Sequence, residues 1–453
     1  MGFGIEDRAT LKRWAHANRI PLSPGVKGTR LRGASVLDRM IGDAGIVALG
    51  EGSHGISELL EFRNHWFQYL AEERGFSAIA IESGLAESRI VYEYVQGGEG
   101  DLRSVIDQGF TWGFEQFPQN RALIEWLRAY NARSAEGRKI KFYGFDLSGS
   151  PGLSTSHRGT ETALIETLNY LSRIDPQAAA TYRSRIAGFL PYFRFDYYAH
   201  LEGPNYDRLT PRERDALSAI VSDLITLLEA RRHELTKSSS ADEYDWAHQA
   251  AIGARQIDTW MRQIPHGWEA SLAQIDCLDQ ASDLRDRAQA DNIDWIVKRE
   301  STQGRVLVFG HNAHLSTSGV SRVWWPCNAT QGTPPLVEHR QLPAGIHLKR
   351  RYGKDLFTMG HLVGRRRIES NGVKSTDDED PSSEAIDAVL ADTHSPSFLI
   401  DLRTTPEPIK QMLDRDAGLG PRFELPGKFQ GFLTVRVRQA FDALLFLQAL
   451  DAS

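Results

Sequence analysis

Short runs of β-branched and aromatic residues alternate along this chain with longer stretches of helical periodicity. The runs are Ile46–Leu49, Ala78–Ile81, Ile140–Phe145, Arg305–Phe309, Asp355–Met359, Ser397–Leu402 and Gly431–Val437. Most are largely apolar rather than alternating, the pattern of strands covered on both faces. The order of elements predicts an α/β fold with a central, mostly parallel sheet flanked by helices. Several runs end directly in polar or glycine-rich segments: GEGSHG, ESG, DLSGSPG and GHNAH. In open parallel sheets ligands bind outside the carboxyl ends of the strands, so these segments share one expected address.

The first crossover helix is predicted over Ser57–Arg74, where Leu59, Leu60, Phe62, Trp66, Phe67 and Leu70 recur at helical spacing. Ser57 is suited to cap its start and Gly75 to end it. Between Gly149 and Thr302 there is no strand pattern, only helical stretches at Thr160–Arg173, Pro211–Lys237, Tyr244–Ile264 and Cys277–Glu300. Thr210 and Pro211 form a plausible cap and first position for the second of these. The chain therefore divides into a first part of the α/β core (1–150), a helical insertion or lid over the sheet's carboxyl edge (151–302), and a second part of the core (303–453). The connector Leu190–Leu209 is unusually aromatic, and the acidic stretch Asn371–Glu384 reads as a solvated loop.

Composition narrows the function. With 453 residues, 41% hydrophobic and 25% charged, the chain is globular and long enough for more than one core. The net charge of −6 lacks the basic excess of a dedicated nucleic-acid binder. Cys277 and Cys327 are the only cysteines, which excludes a disulfide framework and a cysteine-rich zinc site. There is no signal-peptide pattern at the start and no apolar run of membrane-spanning length, so a soluble cytoplasmic protein with no membrane partner is expected.

The strand ends carry the candidate chemistry. Glu51 and His54 stand three positions apart in LGEGSHG; an imidazole moves protons near neutral pH and a carboxylate fixes its tautomer. A turn whose histidine merely caps a helix explains the same letters. Arg63, about two turns into the following helix, can lean back to hold a carboxylate or an oxyanion, or can belong with Glu58 and Glu61 to a solvated face. Glu82 follows an apolar run, where an unpaired carboxylate is costly, and so requires a partner. Asp146 ends YGFD, and His311 and His314 end VLVFGHNAH. His54, Glu82, His311 and His314 also make a conceivable zinc set, although the spacing is not that of HExxH. There is no GxSxG elbow and no GxxxxGK[ST] loop. GEGSHG spells GxGxxG, but Glu51 would set a negative charge where a pyrophosphate should lie.

The series GEGSHG…EFR…IAIESG, TWGFEQFPQNRALIEWLRAYNA, KFYGFDLSG, RDRAQADNIDWI and VLVFGHNAHLS resembles the erythromycin esterase family. The resemblance implies an α/β core with helices framing a deep cleft, and hydrolysis of a carboxylic ester or lactone of a bulky natural product such as a macrolide. It implies no metal and no cofactor: a histidine activates water directly. Carried onto this chain, His54 is that histidine, with Glu51, Glu82, Arg63 and His311 completing the catalytic set. His314, Asp146 and Arg285 are assigned to substrate binding, with Arg285 and Asn292 supporting the cleft. The expected partner is a small molecule alone. The alternatives are a biosynthetic cyclase, lyase or transferase using the same cleft, and a metal-dependent hydrolase.

Overall fold

In chain order the strands are β1 (Ile20–Pro21), β2 (Ile46–Glu51), β3 (Phe76–Gly84), β4 (Lys141–Asp146), β5 (Arg305–His311), β6 (Val320–Pro326), β7 (Val337–Gln341), β8 (Leu356–Val363), β9 (Glu369–Ser370), β10 (Val373–Lys374), β11 (Ser397–Asp401), β12 (Asp416–Leu425), β13 (Phe429–Arg436) and β14 (Ala443–Leu447). The structure, a computed structural model, describes residues 3–22, 34–149, 161–193, 206–264, 275–326, 337–364, 369–370, 373–374, 385–391, 393, 397–425 and 429–447. The chain folds as two compact units: Met1–Ala80 with Ile293–Ser453, and Ile81–Asn292.

The first unit is built on a large sheet in the order β1-β11-β14-β8-β2-β5-β3. The pairs β14–β8, β8–β2 and β2–β5 are parallel, and the β1–β11 and β11–β14 pairs at one side are antiparallel. Every residue of β2, β3 and β8 is buried, in keeping with their mainly apolar runs. The fold is thus the expected α/β type. The crossover helix runs Ser57–Glu73 and buries Leu59, Leu60, Phe62, Trp66, Phe67 and Leu70. Ser57 is its first helical residue, not its cap: the cap position is Ile56, and no side chain bonds the helix start.

Four strands in the order β12-β13-β6-β7 form a separate antiparallel sheet in this unit. The predicted run Gly431–Val437 belongs to it through Gly431–Arg436 of β13, where Leu433 and Val435 are buried and Arg436 is exposed, while Val437 opens the next helix. A cluster of Leu11, Leu362, Phe398, Leu433, Val435 and Phe446, among others, makes one apolar core of the unit. The acidic stretch Asn371–Glu384 lies outside the described residues apart from the two residues of β10.

The second unit holds the end of β3, its neighbour β4, and helices. Among the described residues no strand falls between Gly149 and Thr302, as expected. Thr210 caps the helix Pro211–Ala230 in a full capping box with Glu213. The helical stretch predicted to reach Lys237 breaks at Arg231, and a separate helix runs Arg232–Ser238. Leu164, Tyr170, Tyr206, Leu224, Leu228 and Ala251 belong to the core of this unit. Most of the aromatic connector, residues 194–205, lies outside the described residues. Among the described residues no helix is long and apolar enough to cross a membrane.

Candidate active site

Parallel pairing of β2 with β5 sets Glu51 opposite His311 at the carboxyl ends of two neighbouring strands. The chain then turns through GEGSHG, and His54 comes back onto Glu51: Nδ1 lies 2.6 Å from Oε1. The Glu51 carboxylate is buried, whereas the His54 side chain is 45% exposed. A carboxylate accepts only, so the neutral imidazole carries its proton on Nδ1 and presents Nε2 as a base. The second carboxylate oxygen, Oε2, is buried with no hydrogen-bond partner.

His311 has the opposite tautomer. It caps the short helix Asn312–Leu315, and its Nδ1 accepts the Ala313 N–H at 3.2 Å. The neutral ring is therefore a donor at Nε2. The His54 and His311 rings lie 5.0 Å apart between centroids. His314, buried, stands 6.5 Å from the His311 ring, and its Nδ1 is 3.2 Å from the Gln341 amide nitrogen. Asn312 donates to the His361 carbonyl at 2.7 Å and accepts the His361 N–H at 3.2 Å. Gly50 has no room for a side chain, because a Cβ there would meet Asn312 Oδ1.

Arg63 is not on a solvated face: its side chain is buried. Its Nε and Nη2 both donate to Asn64 Oδ1, at 3.1 and 2.8 Å, and its guanidinium lies 4.7 Å from the centre of the Phe309 ring. Burial lowers its pKa to about 10, with the Glu51 charge opposing the fall. Arg63 therefore stays cationic at neutral pH, a cation in dry surroundings whose field water does not screen.

In the second unit a different group gathers around Arg285. Its Nε and Nη2 reach the Asp146 carboxylate at 3.1 and 2.5 Å, and Nη2 lies 3.3 Å from Glu82 Oε1. The guanidinium is 4.7 Å from the centre of the Trp112 ring. Burial works against the Arg285 charge, but Asp146 and then Glu82 outweigh it and raise its pKa. Asp146 also accepts from Gln289 at 3.0 Å and from the Leu147 N–H at 2.8 Å. Asn292 donates to the Phe145 carbonyl at 3.0 Å, fixing the strand end beside it. Trp112 has φ 63°, rare for a bulky residue, and its neighbour Thr111 is bonded to Ser83 and Gly84 at 2.9 Å each.

The erythromycin esterase family model matches residues 71–450. The chain belongs to the erythromycin esterase family. The match contains Glu82, Asp146, Arg285, His311 and His314, and begins after the GEGSHG turn. The chain is 26% identical to erythromycin esterase type II of Escherichia coli over 361 residues, covering 77% of this chain and 76% of that one. It resembles the crystal structure of a succinoglycan biosynthesis protein at a TM-score of 0.71 and 20% identity, over 98% of both chains. A mutant erythromycin esterase in its open conformation matches at a TM-score of 0.61 and 18% identity, over 91% of this chain and 92% of that one. Family membership supports a hydrolase, and the chain keeps the fold at low identity.

Sequence reasoning missed Asn64, Asn312, Gln341 and His361 around the strand-end residues of the first unit, and Trp112 beside Arg285 in the second. Asn312 lies inside the HNAH segment and Trp112 inside TWGFEQ, so both were legible as blocks but not as roles. His361 gave no signal beyond being a lone histidine in an apolar strand.

Proposed function

We propose that this chain hydrolyses a carboxylic ester or lactone of a bulky natural product, macrolide-like in class, with His54 as the general base that activates water. The carrying observation is the Glu51–His54 pair: a buried carboxylate fixes Nδ1 at 2.6 Å while the ring stays open. That pairing aims the basic nitrogen away from its anchor, the requirement for taking a proton from water. His311 and Arg63 are the oxyanion and leaving-group partners, one as an Nε2 donor and the other as a fixed cation. In the second unit Glu82, paired with Arg285, is the further catalytic candidate, and Asp146 serves by holding Arg285. His314 lends support to substrate binding. The partner is a small molecule, no cofactor takes part, and the cell compartment is the cytoplasm.

Support for the substrate class comes from family membership and from the relative named erythromycin esterase type II. The test is incubation of the purified chain with erythromycin and a panel of simpler lactones in ¹⁸O-labelled water. Ring-opened product carrying one ¹⁸O, lost in His54→Ala, is the expected result. A product formed without label points to the cyclase, lyase or transferase alternative, because acid–base residues of this kind do not choose between water and an internal nucleophile.

A further inference from the structure

We infer that His361 is a positioning residue: its imidazole is the fixed acceptor that holds the GEGSHG turn and thereby the Glu51–His54 pair. The inference rests on the general-base reading of His54. His361 lies on β8 and is fully buried. Its Nδ1 accepts the Gly52 N–H at 3.2 Å, and Gly52 stands between Glu51 and His54. The turn presses closely on this strand, since a Cβ at Gly52 would come within 2.9 Å of the His361 carbonyl oxygen.

The strand position is itself held from several sides. Asn312 bonds both backbone groups of His361, tying it to the segment that carries His311. Two residues on, the Val363 N–H donates to the buried Asp387 carboxylate at 2.8 Å, which also accepts the Gly420 N–H at 2.8 Å. The ring thus hangs from a rigid point and reaches one amide of a glycine-rich turn.

Its other nitrogen argues that this amide is the reason for the ring. With Nδ1 accepting, the neutral imidazole carries its proton on Nε2. Nε2 is buried and has no hydrogen-bond partner. An unmet buried donor destabilises, and an apolar side chain of similar size avoids it. A core histidine kept for packing alone has no use for that liability. Burial also pushes its pKa down to about 3, so the ring remains an acceptor over the whole neutral range.

The test compares His361→Leu, His361→Asn and His54→Ala in the full chain. Amide hydrogen exchange at Gly52 is one readout, and kcat and KM on erythromycin are the other. In His361→Leu the Gly52 amide is expected to exchange about 10-fold faster or more. The value of kcat falls about 10–100-fold, KM stays within about twofold, and the melting temperature holds. His361→Asn places Oδ1 where Nδ1 was and keeps both Gly52 protection and most of kcat. Wild-type exchange at Gly52 in His361→Leu overturns the inference, and so does an equal loss in the Leu and Asn variants, which marks a packing role. Should His54→Ala retain activity, the general-base reading fails by itself, and the exchange data still decide what His361 holds.

Discussion

The imidazoles of His54 and His311 stand 5.0 Å apart between centroids, tilted by 48°. This suits a site in which His54 takes a proton while His311 donates a hydrogen bond. His54→Ala is expected to lower kcat about 10²–10⁴-fold, the usual worth of a general base. Adding His311→Ala to it costs much less than His311→Ala costs alone, since residues that act as a unit are not additive. Steady-state kinetics of the two single variants and the double variant decide this. Losses that multiply would separate the two rings into independent roles.

Trp112 and Arg285 make a second test. Trp112 holds φ 63° with its ring 4.7 Å from the Arg285 guanidinium. Such a conformation in a bulky residue costs on the order of 1–3 kcal/mol, and it persists where surrounding contacts enforce it. Trp112→Gly removes both the strain and the ring, whereas Trp112→Ala removes the ring and keeps most of the strain. Gly is therefore expected to be more stable than Ala here by about 1 kcal/mol, in urea unfolding, against its usual disadvantage. Both variants lose activity about 10-fold as Arg285 loses the Trp112 ring it lies over. An Ala variant at least as stable as the Gly variant would remove the strain from the account.

How much of this was readable beforehand depends on which forces set each feature. The strands β2, β3, β5 and β8 each carry a mainly apolar run, and burial on both faces writes itself into composition. The strand-end residues Glu51, Glu82, Asp146 and His311 were visible because a polar group straight after such a run must have a partner. The second sheet was not visible as such: its pairs, such as Arg322 with Leu433 and with His339, join segments far apart in the chain. β14 was missed because ALLFL sits in a stretch that reads equally as helix. Arg63 was ambiguous for a related reason, since its burial depends on Phe309 and Asn64 rather than on its own helix spacing.

Metal removal separates the proposed chemistry from the metal-dependent alternative. Nδ1 of His54 is taken by Glu51, and Nδ1 of His311 by the Ala313 N–H. A cation at these rings is left with the Nε2 nitrogens, the atoms the proposal assigns to the base and the donor. Extended dialysis against EDTA is expected to change kcat by less than about twofold. Activity lost on dialysis and restored by zinc would favour a metal hydrolase.

Acid stability provides the last test, through three buried groups of the first unit. Burial pushes His361 down to about 3, and burial with the nearby Arg322 charge does the same to His339. Burial lifts Asp387 to about 6, against the backbone N–H groups of Gly420 and Val363 that favour its charge. The unfolded chain protonates these two histidines below about 6.5, and the folded chain does not until about 3. Each imidazole thus contributes stability that is present above about pH 6.5 and lost as the pH falls. Asp387 acts in the other direction: its folded form binds a proton below about 6, and its unfolded form only near 3.9. Its contribution is present at low pH and is lost as the pH rises through about 6. Between about pH 4 and 6, two imidazoles against one carboxyl leave a net uptake of about one proton on unfolding, a slope of about 1.4 kcal/mol per pH unit. His361→Asn removes one imidazole, so its unfolding free energy should fall less steeply than the wild type's by about that amount. Urea unfolding of both proteins at pH 4.5, 5.25 and 6 measures the difference, because all other carboxylates contribute equally to each. Parallel lines would mean that His361 is protonated in the folded protein.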